Sequence, residues 1–214
     1  MVTTTRQVLP SSVGGRACLD LANTVGPRLP RPGVEPHDDL PDYQELVTWA
    51  VHRGLLTPLQ QRRLIRAAEA DPEGAAAIHR DALRLREAIY QAFADIAHGR
   101  QAPPAALATI QDAYVAALRH ARLATVPTGL DWSWPEHGPL ERVLWPLARS
   151  AVDLATSGRL ARIKQCPGDD GQCGWLFLDN TKSNTRRWCS MRTCGGREKS
   201  QRQAARLRAA HTPR

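Results

Sequence analysis

Several features that would assign a protein to a membrane or to a secretory route are missing from this sequence. It contains no apolar run approaching the ~20 residues that a membrane-spanning helix needs. Its opening stretch, MVTTTRQVLPSSVGG, holds one arginine and no apolar core of the kind found in secretory signals. From these absences we expect a soluble, cytoplasmic protein that makes no contact with a membrane.

Signs of catalysis are also scarce. The seven histidines are scattered along the chain. No serine–histidine–aspartate order, no pair of catalytic carboxylates and no phosphate-binding glycine loop stands out. We therefore expect a protein that is not an enzyme, and we keep an enzyme of the helical region as an alternative.

An excess of basic over acidic residues is absent until the last quarter of the chain. Residues 1–158 contain 16 Lys and Arg against 17 Asp and Glu, whereas residues 159–214 contain 13 against 4. The formal net charge of +8 therefore arises from the last quarter. A basic module on a near-neutral region is typical of nucleic-acid binding, although a solvated basic tail would have the same composition.

Helical patterns with clear start and stop signals fill most of the near-neutral region. Aspartate, threonine and proline precede apolar residues spaced by three and four, and glycine often follows them. The predicted helices run from Asp39–Pro41 to Gly54, from Thr57 to about Ala70, from Asp71 to Gly99, from Pro103 to about Ala121, and from about Pro139 to Thr156. Pro146 is expected to kink the last helix. Alternation around a Pro-Thr-Gly turn predicts a β-hairpin over residues 122–134.

Four of the five cysteines lie within one short segment, with the spacing Cys166-x6-Cys173-x15-Cys189-x4-Cys194. In a reducing cytosol such a cluster is more often a metal site than a disulfide framework. Two pairs of thiolates suit one tetrahedral zinc ion, whose closed coordination gives it a structural rather than a catalytic role. Disulfides or unconnected thiols are the alternatives.

The sequence around the cysteines predicts the rest of the module. GWLFLDNT indicates a strand, Ser183-Asn184 a turn and TRRWCSM a return strand, and GGREKSQRQAARLRAA after Cys194 indicates a helix. The expected fold is therefore mainly α. It consists of a helical N-terminal domain over residues 1–160 with a small β-hairpin, and a treble-clef-like zinc finger, made of a β-hairpin and a basic helix, over 161–214.

The basic side chains of this module are candidate nucleic-acid contacts. The candidates are Lys182, Arg186, Arg187, Arg192, Arg197, Lys199, Arg202 and Arg206. Lys199, Arg202 and Arg206 share one helical stripe, and like charges in a row make most sense opposite phosphates. Trp175 and Trp188 suit the small core of the module, with base stacking as the alternative.

Three ordered strings in the cysteine-rich segment carry a family resemblance. They are CGWLFLD over residues 173–179, RRWCSM over 186–191, and Cys194-Gly195-x-Arg197-x-Lys199. The segment resembles the CGNR zinc-finger family. CLDLANT over residues 18–24, with a looser match over 140–163, is similar to the ABATE domain that accompanies this finger. Together the two resemblances cover nearly the whole chain.

The resemblance implies a stress-linked bacterial transcription regulator whose finger binds DNA. It implies zinc ligation by the four clustered cysteines and contacts from Arg186, Arg187, Arg197 and Lys199. One departure is Gly196, where the family has asparagine. If that asparagine sets a left-handed or capping backbone, glycine serves as well, and we favour this structural role. If it contacts DNA, this chain has lost the contact.

A regulator also needs an input. Asp20 and Asn23 are candidates for a small-effector pocket, lined further by Arg16, Trp49 and the hairpin tryptophans, although Asp and Asn also commonly cap helices or hold turns. The leading hypothesis is a zinc-dependent, DNA-binding transcription regulator, for which a homodimer would be an ordinary state. A zinc-stabilised module that docks on an acidic protein partner is the second hypothesis.

Overall fold

The computed structural model describes residues 12–29, 33–168 and 173–210. Its helices are α1 (Ala17–Ala22), α2 (Tyr43–His52), α3 (Pro58–Ala70), α4 (Pro72–Ala97), α5 (Pro104–Leu118), α6 (Trp145–Ala155) and α7 (Gly196–Ala210). Its strands are β1 (Val25–Gly26), β2 (His37–Asp38), β3 (Arg122–Val126), β4 (Gly129–Ser133), β5 (Ile163–Gln165) and β6 (Leu176–Leu178). Short helical turns cover Leu140–Val143, Leu160–Arg162 and Met191–Gly195. The prediction of a mainly α protein is confirmed.

The helix starts follow from the capping chemistry in the sequence. The Asp42 side chain accepts from the backbone N–H of Glu45 and so begins α2. Thr57 and Gln60 form a reciprocal capping box at the start of α3. The Asp71 side chain accepts from Gly74 N–H and begins α4. These satisfied backbone groups explain why the boundaries of α2, α3 and α4 lie close to the predicted ones.

The predicted hairpin is present, whereas the last helix of the body begins later than predicted. β3 and β4 pair antiparallel, with Leu123 opposite Trp132, so the hairpin is confirmed. The predicted helix from Pro139 is instead a 3-10 turn over Leu140–Val143, followed by α6. Pro146 lies in the first turn of α6 and does not kink it, because a proline there removes no helical hydrogen bond.

One hydrophobic core joins the helical body, meaning residues up to 160, to the finger, meaning residues from 161 onward. α4 packs against α1, α5 and both β5 and β6. Ile163, Leu176 and Leu178 are fully or almost fully buried in the same core cluster as the body helices. The boundary at 160/161 stays a prediction, but the two regions share their interior.

The hairpin of the finger differs from the predicted one. β6 pairs antiparallel with β5, which precedes Cys166, through Ile163–Leu178, Lys164–Phe177 and Gln165–Leu176. The predicted return strand around 185–191 is loop and turn. The strand over 176–178, the helix after Cys194 and the treble-clef-like arrangement are as expected; the choice of strand partner was wrong. No helix in the described ranges is long and apolar enough to cross a membrane.

Candidate metal centre and basic surface

The four clustered cysteines converge on one point. Their sulfur atoms all lie within 4.8 Å of one another. The Sγ atoms of Cys173 and Cys189 are 3.8 Å apart, and those of Cys189 and Cys194 are 3.7 Å apart. A zinc ion bound at about 2.3 Å by four sulfurs needs sulfur–sulfur separations of about 3.8 Å. Cys166, Cys173, Cys189 and Cys194 therefore form a site for a single zinc ion.

The first ligand pair sits at the end of the β5–β6 hairpin. The backbone N–H of Gly174 donates to the Cys166 carbonyl over 2.9 Å, and Cys166 N–H donates to the Trp175 carbonyl over 2.8 Å. Gly174 has φ +70°, and a Cβ there would lie 2.8 Å from side-chain atoms of Arg28 and Leu29. Glycine is therefore needed both for the turn and for the close approach of the body.

The second ligand pair leads into the last helix. Cys189 follows the loop, and Cys194 lies in the π-helical turn that continues directly into α7. The start of a helix favours a thiolate because its unpaired N–H groups carry partial positive charge. The predicted position of the last ligand beside a helix start is confirmed.

Gly196 behaves differently from the expectation. Its φ is −68° and its ψ −43°, so it adopts ordinary right-handed helical backbone at the start of α7. The left-handed alternative is therefore wrong, and the capping alternative remains, because Gly196 is the cap residue that ends the π-helical turn. A Cβ at residue 196 would lie 3.1 Å from the Met191 carbonyl oxygen, which is a tight contact.

Clustering changes the acid–base properties of the thiols. Hydrogen bonds from Cys173, Cys189 and Cys194 hold the pKa of Cys166 far below its ordinary value. The hydrogen bond with Cys166, together with those to the other two thiols and burial, raises the pKa of Cys189 far above it. Four thiolates this close would repel one another, so full ionisation needs a cation at the centre. Distances and charge both fit zinc.

Strand β6 has two buried faces. Leu176 and Leu178 point into the core of the helical body. Phe177 lies between them in sequence and is buried in a second cluster with Cys166, Cys189 and Cys194. The alternation follows from the two-residue period of a strand. One strand therefore contributes to the body interior on one face and to the metal centre on the other.

Asn23 fastens this strand to the body. Its side-chain N–H donates to the Leu176 carbonyl, and its side-chain oxygen accepts from the Leu176 N–H, both over 2.8 Å. Nearby, the indole N–H of Trp175 donates to the Val25 carbonyl over 2.9 Å. The amide of Asn23 thus satisfies both backbone groups of a buried strand residue, as a neighbouring strand would.

The predicted effector pocket is not assembled. Asp20 accepts from Gly14 N–H over 2.9 Å and pairs with Arg53 over 2.6 Å, so its carboxylate holds the chain before α1. The side-chain amide of Asn23 is used in its two hydrogen bonds to Leu176 of β6. Trp49 is fully buried in the core, and Arg16 is exposed.

The other tryptophans of the predicted pocket have different surroundings. Trp132 lies exposed on the hairpin. The indole N–H of Trp134 donates to the Ala117 carbonyl over 2.8 Å. A cleft of about 410 Å³ between α2, α3 and α4 is lined by other residues, among them Tyr43, Ile65 and His79. The alternative of a turn role is therefore correct for Asp20, which holds the chain before α1, whereas Asn23 has the different role of binding β6.

Arg186 has a structural position that the sequence interpretation did not assign. Its guanidinium lies 4.4 Å from the centre of the Phe177 ring. It donates to the carbonyls of Trp188 (3.0 Å), Val13 (3.1 Å) and Cys189. The side chain thus joins the chain before α1, strand β6 and a zinc ligand. A guanidinium held this way is occupied inside the protein, so its predicted contact with DNA is withdrawn.

Asp179 and Lys164 organise the loop between β6 and the second ligand pair. Asp179 is fully buried and accepts from Lys164 Nζ (2.7 Å), Arg186 N–H (2.8 Å) and both the backbone and hydroxyl of Thr181. Burial alone would raise the pKa of Asp179, but these donors hold it well below its ordinary value. The Asp179 carboxylate therefore binds the backbone N–H of Arg186, one of the groups that the predicted return strand would have used.

The remaining predicted nucleic-acid contacts lie on the outside. Among the finger side chains that the structure describes, seven basic ones are exposed: Lys182, Arg187, Arg192, Arg197, Lys199, Arg202 and Arg206. The Arg187 guanidinium lies 4.9 Å from the centre of the Trp188 ring. Trp175 and Trp188 pack against the cysteine cluster, in agreement with a core role.

A hairpin and a helix that converge on a four-cysteine site define this chain as a zinc-finger protein with an attached helical body. Comparison with known families agrees. Residues 162–207 match the family described as "CGNR zinc finger", and residues 15–158 match ABATE, described as "Putative stress-induced transcription regulator". The chain belongs to the ABATE family and carries a CGNR zinc finger. No curated protein matches it.

Proposed function

We propose that this protein is a zinc-dependent transcription regulator whose finger binds duplex DNA through its exposed basic side chains. The proposal rests on one observation: most exposed cations of the finger form no ion pair with an acidic side chain of the described residues. Among its seven exposed basic residues, only Arg202 forms an ion pair within the described ranges, with Glu198 over 2.7 Å. Exposed cations without acidic partners, on a module whose four cysteines can bind zinc, are suited to the phosphate backbone of DNA.

The helical body provides an internal contrast. The side chains of Arg28, Arg53 and Arg86 are largely covered and pair with Glu87, Asp20 and Asp38 at 2.6–2.7 Å. Those charges are used for structure. The family assignment to transcription regulators supports the same proposal. The protein is further proposed not to be an enzyme, because four protein ligands leave zinc no open position for a substrate.

DNA binding by the zinc-loaded protein is measured by fluorescence anisotropy with a mixed-sequence duplex across a salt series. Each phosphate contact contributes about −0.9 to the slope of log K against log salt concentration. The paired substitution Arg202→Ala with Arg206→Ala is expected to weaken binding and to reduce the slope by about 1.8. Chelation of zinc is expected to abolish the binding.

The body offers a matched control. Arg62 and Arg66 are exposed and four residues apart on α3, as Arg202 and Arg206 are on α7. Arg62→Ala with Arg66→Ala is expected to leave affinity and salt slope unchanged. A flat salt response of the wild type, or an equal loss in both double variants, would show that the finger is not the DNA-binding surface.

A second candidate is a module that docks on an acidic protein. Met191, at the start of the π-helical turn, is largely exposed and is followed by the exposed Arg192, and exposed methionine and arginine are typical of protein interfaces. Co-purification of an acidic partner by a finger that has no DNA affinity would favour this candidate.

A further inference from the structure

Large exposed apolar side chains are concentrated in one stretch of the helical body. Leu107, Val115, Leu123, Leu130 and Trp132 expose 47, 43, 61, 72 and 37% of their surfaces. All five belong to α5 or to the β3–β4 hairpin that follows it. An exposed apolar set of this kind commonly marks a surface that meets another molecule.

Helix α5 is apolar on nearly every side. Asp112 is its one charged residue among 15. Its buried side faces α4 and α6. Its exposed side carries residues spaced by three and four along the helix, the last of which is the C-cap residue: Ala105, Ala108, Asp112, Val115 and Arg119. A helix that is apolar all round is ordinarily covered all round. The alanines of the stripe would let another helix approach closely.

The hairpin presents a matching face. Leu123 lies opposite Trp132, and Thr125 lies opposite Leu130, so these uncharged, exposed side chains share one face. On the other face, Asp131 pairs with Arg149 of α6 over 2.5 Å. β3 and β4 form a two-stranded sheet within the described residues. In the part of the chain that the structure describes nothing covers its outer face, where Leu123 and Leu130 are exposed.

The charges of this surface are self-complementary. Asp112 and Arg119 are exposed, are two helical turns apart, and flank Val115 and Ala116. Neither forms an ion pair within the described ranges. If two copies of α5 pair antiparallel about an axis at residues 115–116, each Asp112 faces the Arg119 of the other copy. Reciprocal contacts of this kind are what a two-fold interface requires.

We propose that α5 and the β3–β4 hairpin form the interface of a homodimer. Antiparallel α5 helices set the hairpin of one copy beside the N-terminal half of the other α5, where Leu107 is exposed. Residues 104–134 contain two acidic and two basic residues. This balance suits a second copy of the same surface better than DNA or an acidic protein.

The test is the molar mass of the zinc-loaded, full-length protein by light scattering at increasing concentration. The expected mass is twice 23.6 kDa. Leu123→Glu with Leu130→Glu is expected to give the monomer mass, with an unchanged circular dichroism spectrum. The control is Leu59→Glu, an exposed leucine on α3, which should remain dimeric.

A charge swap distinguishes loss of the interface from misfolding of the variant. Asp112→Arg alone would place arginine opposite Arg119 and weaken the dimer on the order of tenfold. Adding Arg119→Asp restores opposite charges and should restore the wild-type affinity. A wild-type monomer at all concentrations, or a dimer that resists every variant, overturns the proposal.

A dimer would carry two fingers related by a two-fold axis and would favour DNA sites with two half-sites. This consequence rests on the proposed DNA binding. The mass measurement contains no DNA, so failure of the dimer and failure of DNA binding are separate results.

Discussion

The helical body and the finger are stabilised by different means. The body has a large apolar core, and three of its arginines, Arg28, Arg53 and Arg86, have largely covered side chains that pair with carboxylates. The finger has few apolar residues of its own, four cysteines at a single metal site, and exposed cations of which one has an acidic partner in the described ranges. A segment held by metal can leave its charged side chains available to a partner, because it does not need them for folding.

Strand β6 is where the two modes of stabilisation meet. Its leucines belong to the body core and its phenylalanine to the metal centre. We therefore expect the body and the finger to unfold together, although one is stabilised by an apolar core and the other by a metal site.

Metal removal should have the largest effect. Chelation, or Cys189→Ser, is expected to unfold the loop and α7 and also to destabilise the body, because Phe177 loses its packing. Loss of a buried phenylalanine contact costs about 3 kcal/mol, which lowers the melting temperature of a protein this size by roughly 6–12 °C. Thermal melts followed by circular dichroism measure this. A body that melts unchanged without zinc would make the two regions independent.

Asn23→Ala should be nearly as damaging. It leaves both buried backbone groups of Leu176 without a partner, and each such group costs about 1–3 kcal/mol. Urea unfolding of the zinc-loaded protein should show a loss of about 2–6 kcal/mol. Asn180→Ala is the control, because Asn180 is exposed and accepts one hydrogen bond from Arg159. Equal effects of the two substitutions would remove the clamp role of Asn23.

The neighbouring arginines 186 and 187 should differ in zinc affinity. Arg186→Ala removes a donor to the carbonyl of the ligand Cys189, and loss of such outer contacts typically weakens metal binding about 10–100-fold. Arg187→Ala, at an exposed position, should leave zinc affinity unchanged and weaken DNA binding. Competition with a zinc chelator distinguishes them. The same zinc affinity in both variants would contradict the structural role of Arg186.

Trp175→Phe should have the smallest effect. It removes the indole N–H that bonds to the Val25 carbonyl and keeps an aromatic ring beside the cysteine cluster. A loss of about 1 kcal/mol is expected, or roughly 2–4 °C in melting temperature. Zinc stoichiometry should stay at one. A loss several times larger would indicate that the indole also determines packing at the cluster.

The parts of this structure that depend on local sequence were predictable. Caps such as Thr57 with Gln60 act over three residues, and the four cysteines with their spacing indicate a metal site without further context. The partner of β6 was not predictable in the same way, because strand pairing is non-local and a strand before Cys166 competed with one after Asn184. Tertiary packing decided in favour of Ile163–Gln165, whose isoleucine reaches the body core.

The roles of individual polar residues were the hardest to predict. Asn23 bonds to a residue 153 positions away, and nothing in the residues around it indicates that partner. Arg186 and Arg187 are identical in type and adjacent, yet one lies on Phe177 and the other faces solvent. The ion pair between Lys164 and Asp179 was also not predicted. The single acid at the end of the LFLD string, in a segment rich in cations, was the signal that could have identified Asp179.

The two-faced strand also limits how portable this finger is. Grafted alone onto another protein, residues 161–214 would present Ile163, Leu176 and Leu178 to water, and the remaining body would have an open apolar trough beside α4. Both fragments would be prone to aggregate, whichever linker joined them to a new host. The finger is therefore not an interchangeable cassette, and recombination that exchanges fingers between such proteins must preserve the body surface that receives β6.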